Sequence, residues 1–338
     1  MSTPRTTVRY GIIGFGSFAE RAIAPAIRAS ANSELVAIQK RSRSAAREKA
    51  SSHSIPLAFD SVDELVKHPD VDAVFIVSAN SAHYKETLAA ARVGKHVLVE
   101  KPMAMNVREV EDVIEACSRT KVKLMVGHML RFSPLVRRMQ EMIRSGGIGR
   151  ISLARAEYIY DARLSRRSWL TDRTIAGGGP IYDVGIHCLD TLRFVLDDEV
   201  ISVKSHLNPG PTGTTTEKTA SLSLEFSRGT VASILCSFEA PMRRSHIEIV
   251  GTEGILSAPD FTLGDRTLML EKSMRTDGTT VDLHREEIDV PNLYVEEVTS
   301  FSSSILSDTD VAVPGSVGLM NQRVLEIALT GGGVISHS

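Results

Sequence analysis

Between Val8 and Gly127, short apolar and β-branched runs alternate with longer amphipathic stretches. Strands joined through helix-length crossovers pair in parallel, so this pattern predicts a parallel sheet with crossover helices. The strand candidates are VRYGIIG, LVAIQ, AVFIVS, HVLVE and LMVG. Between them Ala19, Ala22, Ile23, Ala26 and Ile27 recur at helical spacing, as do Val107, Val110, Ile114 and Cys117. Asn106, three residues before Glu109, predicts a capping box at the start of the second of these helices. Pro25 predicts a bend or an early end in the first.

After Gly127 the texture changes. Ser133 and Pro134 read as N-cap and N1 of a helix carrying Leu135, Val136, Met139, Met142 and Ile143, which the cluster SGGIG stops. The runs ISLARAEYIY, ISVKSHL, ASLSLEF, TVASILCSF, IEIVG and LMLE follow with few helices between them. Their hairpin-like spacing predicts a largely antiparallel sheet. Alternate positions are often Ser, Ala or Leu, so the face turned from the core is expected to be covered by another subunit, giving a homo-oligomer, dimer or tetramer. NLYVEEVTSFSSSIL and GLMNQRVLEIAL read as two closing helices, and the stretch from Arg41 to Lys49 as a solvated one. The expected fold is α/β with two domains, residues 1–127 and 128–338, a division that suits a chain of 338 residues.

Composition narrows the partners. With 39 basic and 41 acidic residues the formal charge is −2, which offers no global attraction for nucleic acid or an anionic membrane and favours a small-molecule partner. Cys117, Cys188 and Cys236 lie far apart without CxxC spacing, so neither a disulfide framework nor a zinc site is expected. The polar start MSTPRTT lacks a signal-peptide pattern, and no run of about 18 apolar residues occurs. A cytoplasmic location, with no membrane partner, is the expectation.

GIIGFGSFA places Gly14, Gly16 and Ala19 at the spacing of a dinucleotide fingerprint, directly after a strand and opening a helix. Gly14 permits the tight turn, Gly16 leaves room for a pyrophosphate, and Ala19 lets the helix lie close to the strand. The helix N-terminus supplies donors and positive potential. Gly14, Phe15, Gly16, Ser17 and Phe18 therefore count as cofactor-side residues. The second strand of such folds ends on a carboxylate when NAD is bound, and here AIQKRSRS puts Gln39, Lys40, Arg41 and Ser42 there. Lys40, Arg41 and Ser42 could hold a 2′-phosphate by charge-assisted bonds, which favours NADP with NAD possible. The plainer alternative is that Lys40 and Arg41 begin a surface loop. HVLVEKP then sets Glu100 and Lys101 at the C-terminal end of the fifth strand candidate, the end that faces the ligand crevice in open α/β sheets.

Together GIIGFGSFA, SANSAHYKETLAAARVGKHVLVEKPMAMN, VGHMLRFSP, IGRI, SWLTDRTIAGGGPIYDVGIHCLD and NLYVEEVTSF resemble the Gfo/Idh/MocA oxidoreductases, in that family's order over almost the whole chain. The resemblance implies an N-terminal Rossmann domain and a C-terminal α/β domain with an open, predominantly antiparallel sheet. It also implies hydride exchange between a nicotinamide and a carbon bearing hydroxyl or carbonyl, on a sugar, polyol or sugar derivative. By matching position Lys101 is similar to the family's active-site lysine, and Asp183 and His187 to its second-domain pair. Ser78 and Ala79 stand where many relatives have Thr-Pro, while Asn80 and His83 fit the pattern, so Ser78, Asn80, His83 and Glu100 join the cofactor-side set. Arg131 reads as a structural or substrate-side cation, and Trp169, the only tryptophan, as a wall for a sugar ring or a core anchor.

Alcohol oxidation sends a hydride to the nicotinamide and a proton to a base. An imidazole, with an ordinary pKa of about 6.5, is nearer working pH than an ammonium at about 10.4. His187 is therefore the expected proton carrier and Lys101 a cation that polarises the substrate oxygen, with the proton shared between them in an undecided proportion. Asp183 accepts a substrate hydroxyl or supports the imidazole. The triple glycine, Gly177 to Gly179, reads as backbone passing close to the substrate. No metal is expected. Two other readings stand beside this one: NAD-dependent glycoside cleavage on the same scaffold, and a regulatory protein that binds NADP without chemistry.

Overall fold

The computed structural model describes residues 6–210, 213–276 and 280–337, and the first five residues of the polar lead lie outside them. The chain divides into two compact units. The first takes the residues up to Met129 together with Tyr294–Leu319, the second takes Leu130–Leu293 and the residues from Met320 on. A division at residue 127 leaves that return out. Burial explains it: Glu297, Val298, Phe301 and Ser302 are fully buried, and the Ser302 hydroxyl meets the buried Tyr10 hydroxyl at 2.8 Å.

In the first unit the strands β1 (Val8–Ile13), β2 (Ser33–Gln39), β3 (Leu57–Phe59), β4 (Ala73–Ile76), β5 (His96–Glu100) and β6 (Leu124–Gly127) form one sheet in the order β3-β2-β1-β4-β5-β6. Every pairing is parallel. All four residues of β4 and of β6 are buried, because crossover helices cover both faces of such a sheet. Each Val or Ile so buried contributes about 1.5–3 kcal/mol. The order reverses direction between β1 and β4, and the ligand crevice of an open α/β sheet lies outside the strand ends at that point.

Local signals act as read, with two differences. Asn106 Oδ1 accepts from the Glu109 backbone N–H at 2.9 Å, but the Glu109 carboxylate reaches back to the N–H of Met105 at 3.0 Å. The helix after β1 neither ends nor breaks at Pro25. It runs as a π turn, Ala19–Ile23, into an α segment, Ala24–Ala29, and Pro25 falls in the first turn of that segment, where a missing N–H costs least.

The second unit carries β7 (Ile151–Asp161), β8 (Val200–Asn208), β9 (Thr219–Phe226), β10 (Val231–Ser237), β11 (Glu239–Gly251), β12 (Gly254–Pro259), β13 (Arg266–Arg275), β14 (Val281–Val290) and β15 (Gly332–Val334). Their order is β14-β13-β12-β11-β7-β10-β9-β8-β15, antiparallel throughout except for β7 with β10. Along β10 the buried Ala232, Ile234 and Cys236 alternate with outward Val231, Ser233 and Leu235. One face of this sheet therefore belongs to the core. Helix Pro134–Arg144 begins on Ser133 as read, although that hydroxyl makes no capping bond.

Candidate active site

In the first unit the loop after β1 is shaped by Gly14. Its φ is +82°, and a Cβ there would lie 2.6 Å from Ser78 Cα in the loop after β4, so any side chain collides. Gly16 is exposed, and the nearest atom to a Cβ on it is 3.8 Å away. The helix that follows has Phe18 at its N-cap with no side-chain cap. An open backbone approach before an uncapped helix start fits a dinucleotide pyrophosphate. Phe15, by contrast, is buried with its ring edge on His53, so its side chain packs the loop from within.

Lys40 turns inward as well. Its ammonium donates to the Phe15 carbonyl oxygen at 2.7 Å, and burial lowers its pKa. Gln39 is buried, and its side-chain oxygen accepts from the Gly14 N–H at 3.2 Å. Arg41 is exposed, and Ser42 caps helix Arg43–Ser52. The three residues read as one phosphate site thus differ: Lys40, with the neighbouring Gln39, braces the loop, while Arg41 and Ser42 face outward.

At the end of β5, Glu100 is buried and its Oε2 accepts from the Lys101 backbone N–H at 3.2 Å. Lys101 is half-buried and joined to Pro102 by a cis peptide bond. His83 is fully buried, and its ring nitrogens face the carbonyl oxygens of Pro102 at 2.8 Å and Ser78 at 3.2 Å. Burial lowers its pKa, and the neutral ring, with a single N–H, donates to one of these two carbonyls while packing between the loop after β4 and the turn after β5. Ser78 donates its hydroxyl to Glu86 at 2.5 Å, and Asn80 is buried at the start of helix Asn80–Arg92. His83 and Ser78 are thus bound into the scaffold around Lys101.

In the second unit two of the three glycines, Gly178 and Gly179, lie against the protein itself rather than open space. A Cβ on Gly179 would collide with the main chain of Glu217, and one on Gly178 would stand 2.6 Å from the Tyr182 ring. The space is filled by the protein itself. Fully buried Glu217 accepts from the N–H groups of Gly179 at 2.9 Å and Ile181 at 3.2 Å, capping the helix that carries the site.

That helix opens as a π turn, Ile181–Gly185, and continues as Ile186–Leu196. Asp183 and His187 straddle the junction, and π turns of this kind recur at functional sites. Residues four apart share a face in α geometry; the π turn alters that offset. Asp183, 7% exposed, accepts from Arg167 Nη1 at 2.7 Å, Arg167 Nη2 at 2.9 Å and the Tyr160 hydroxyl at 2.6 Å. His187 is the one residue from Ile181 to Asp190 that is not buried, and its ring lies 6.2 Å from that of Tyr158. Tyr158 is overlain by the Arg243 guanidinium at 5.1 Å.

Arg131 is engaged elsewhere. It makes two 2.9 Å bonds to Asp190, which is 1% exposed and also accepts from Asn321. This geometry supports the structural reading of Arg131 over the substrate-side one. Trp169 is half-buried with the Arg167 guanidinium 5.9 Å from its ring, so it flanks the Asp183 cluster. Sequence reading did not find Arg167, Tyr158 or Tyr160; the signal available was an arginine two residues from the lone tryptophan. No group of three or more metal-ligating side chains occurs among the described residues, and no helix among them is long and apolar enough to cross a membrane.

Comparison with known proteins agrees with this layout. Residues 8–128 match the oxidoreductase family with an NAD-binding Rossmann fold, and residues 136–257 match the GFO/IDH/MocA C-terminal domain. The chain is 32% identical over 336 residues to a 1,5-anhydro-D-fructose reductase of Ensifer adhaerens, covering 96% of this chain and 97% of that one. It is 28% identical over 334 residues to a D-xylose 1-dehydrogenase [NADP(+)] of Haloarcula marismortui, covering 94% and 89%. Among solved structures, the aldose-aldose oxidoreductase of Caulobacter crescentus superposes with a TM-score of 0.87 at 25% identity, covering 97% of this chain and all of the other. With both halves matched and a full-length relative at 32% identity, the chain belongs to the Gfo/Idh/MocA family of NAD(P)-dependent oxidoreductases.

Proposed function

We propose that this chain moves hydride between a nicotinamide cofactor, NADP in preference to NAD, and a hydroxyl- or carbonyl-bearing carbon of a sugar, polyol or sugar derivative. The observation that carries the substrate class is the full-length likeness to a 1,5-anhydro-D-fructose reductase. The second unit agrees in kind: ionic and phenolic hydrogen-bonding groups beside an indole suit a hydroxyl-rich ring. For the cofactor, Gly14 and Gly16 to Phe18 would hold the pyrophosphate, and Arg41 and Ser42 a 2′-phosphate. When bound, the nicotinamide supplies the site that gives or takes the hydride.

His187 carries the substrate hydroxyl proton on an imidazole nitrogen, a role worth about 10²- to 10⁴-fold in rate. The Lys101 ammonium polarises the substrate oxygen and shares that proton. Asp183, held by Arg167 and Tyr160, accepts a substrate hydroxyl or supports the imidazole charge. The test is a sugar and polyol panel read by reduced-nicotinamide absorbance with both cofactors. Turnover should fall about 10²- to 10⁴-fold in Lys101→Ala and His187→Ala with cofactor affinity mostly kept. Near-normal turnover in both variants refutes the assignment, and cofactor binding without turnover on any sugar would favour a regulatory protein.

Two further readings accompany it. Leu153, Val231 and Leu235, each 45–49% exposed on the second sheet, support a homo-oligomer formed through that sheet. A monomer by light scattering at working concentration counts against it. Three free, buried cysteines fit a reducing cytoplasm; recovery of the protein outside the cell membrane would contradict that.

A further inference from the structure

We propose that Arg167 is a positioning residue for the reaction, acting through Asp183 and Tyr160 rather than on the substrate. This rests on the reading that Asp183 and His187 serve the substrate.

A carboxyl as buried as Asp183 keeps its charge only if partners replace lost water. Arg167 does so with both arms, Nη1 to Oδ1 at 2.7 Å and Nη2 to Oδ2 at 2.9 Å, the planar fork that matches a carboxylate. The Tyr160 hydroxyl adds a third bond to Oδ2 at 2.6 Å and itself accepts from Arg167 Nη2 at 3.3 Å. The triangle Arg167, Tyr160, Asp183 therefore fixes the carboxylate plane as well as its charge.

Burial and then the Asp183 charge push the Tyr160 phenol above its ordinary range, so it stays a donor. Burial works against the Arg167 cation, but Asp183, with smaller help from Tyr160 and Tyr158, more than offsets it. The same frame continues toward the imidazole: the Tyr160 ring lies 6.4 Å from that of Tyr158, which lies 6.2 Å from His187. Charged and titratable groups facing Asp183 within its unit include Arg167, Tyr160 and Tyr158, with Arg243 across the Tyr158 ring. Removing Arg167 thus strips Asp183 of this bidentate cation and lets it take up a proton at higher pH.

The experiment follows kcat/KM against pH for the full chain with an active sugar from the panel. It compares wild type, Arg167→Met, Arg167→Lys, Asp183→Asn, the double variant Arg167→Met with Asp183→Asn, and His187→Ala. Arg167→Met should lose about 10²-fold at neutral pH, chiefly in kcat. Its acid limb should move to higher pH, and Arg167→Lys should recover part of both effects. On the Asp183→Asn background, Arg167→Met should cost less than about threefold, since the two side chains act as a unit. An unmoved acid limb in both Arg167 variants overturns the proposal, as does an undiminished loss on the Asp183→Asn background, which would mean direct substrate contact. If circular dichroism shows Arg167→Met unfolded, the limb of Arg167→Lys decides. Wild type silent across the panel sinks the functional reading and this proposal with it. Active wild type, inactive His187→Ala and unaltered Arg167 variants sink this proposal alone.

Discussion

Gly179 lies against Glu217 so closely that its hydrogen stands where a methyl group would strike the Glu217 carbonyl oxygen, while its N–H donates to the Glu217 carboxylate at 2.9 Å. The relationship ties the start of the site helix to the residues just before β9. It explains Gly179 by packing, as the Tyr182 ring explains Gly178.

Gly179→Ala should therefore destabilise the second unit rather than alter substrate selection. Backbone cannot yield as a side-chain end can, so the loss should be about 3 kcal/mol, read from urea unfolding. A change below about 1 kcal/mol would show that the space is free and return the glycines to a substrate role.

Lys40 and Arg41 should separate on mutation. Lys40 braces the Phe15 carbonyl from within, so Lys40→Met should weaken NADP and NAD alike, by about tenfold for a lost charge-assisted bond. Arg41→Ala should weaken NADP by a similar factor and leave NAD nearly unchanged. Titration of each cofactor by calorimetry checks both, and an NADP-selective loss in Lys40→Met would reverse the assignment.

What the sequence disclosed follows from how local each signal is. HVLVE and LMVG became β5 and β6 with matching bounds because strands buried on both faces are uninterrupted apolar runs. β3 escaped notice as three half-buried residues, and β14 because exposed VDLHREEIDV carries charge where a core strand would carry apolar side chains. The parallel pairing of β7 with β10 has no local mark at all. In the site, Lys101, Asp183 and His187 stood out through motif order. Arg167 meets Asp183 only once the two turns after β7 fold back, and one arginine among Arg163, Arg166 and Arg167 carries no periodic signal.

Arg131 provides a test of structure against motif position. Its fork closes on Asp190, a carboxylate with 2% side-chain exposure, and its guanidinium also covers the Phe194 ring at 5.1 Å. Arg131→Met leaves that charge buried, with Asn321 and, at 3.9 Å, Arg193 among its remaining partners. The expected cost is about 3 kcal/mol of stability with KM for the sugar little changed. A raised KM at wild-type stability would restore the substrate-side reading.

Glu297 gives the first unit a pH dependence of its own. Neither carboxyl oxygen has a hydrogen-bond partner among the described residues, and burial, reinforced by the Glu100 charge, raises its pKa well above the usual range. The folded chain thus keeps a proton that the unfolded chain releases above about pH 4.3. Stability from this group is complete below that pH and is lost as pH rises through the folded value. Glu297→Gln cannot ionise in either state, so it escapes the loss while keeping the shape. Between pH 5 and pH 8 the wild type should lose at least about 1 kcal/mol more than the variant by urea unfolding. A neutral Glu297 also leaves Glu100 as the single carboxylate of the pair at the Lys101 end of β5. Equal pH slopes in the two proteins would mean that Glu297 ionises freely beside Glu100.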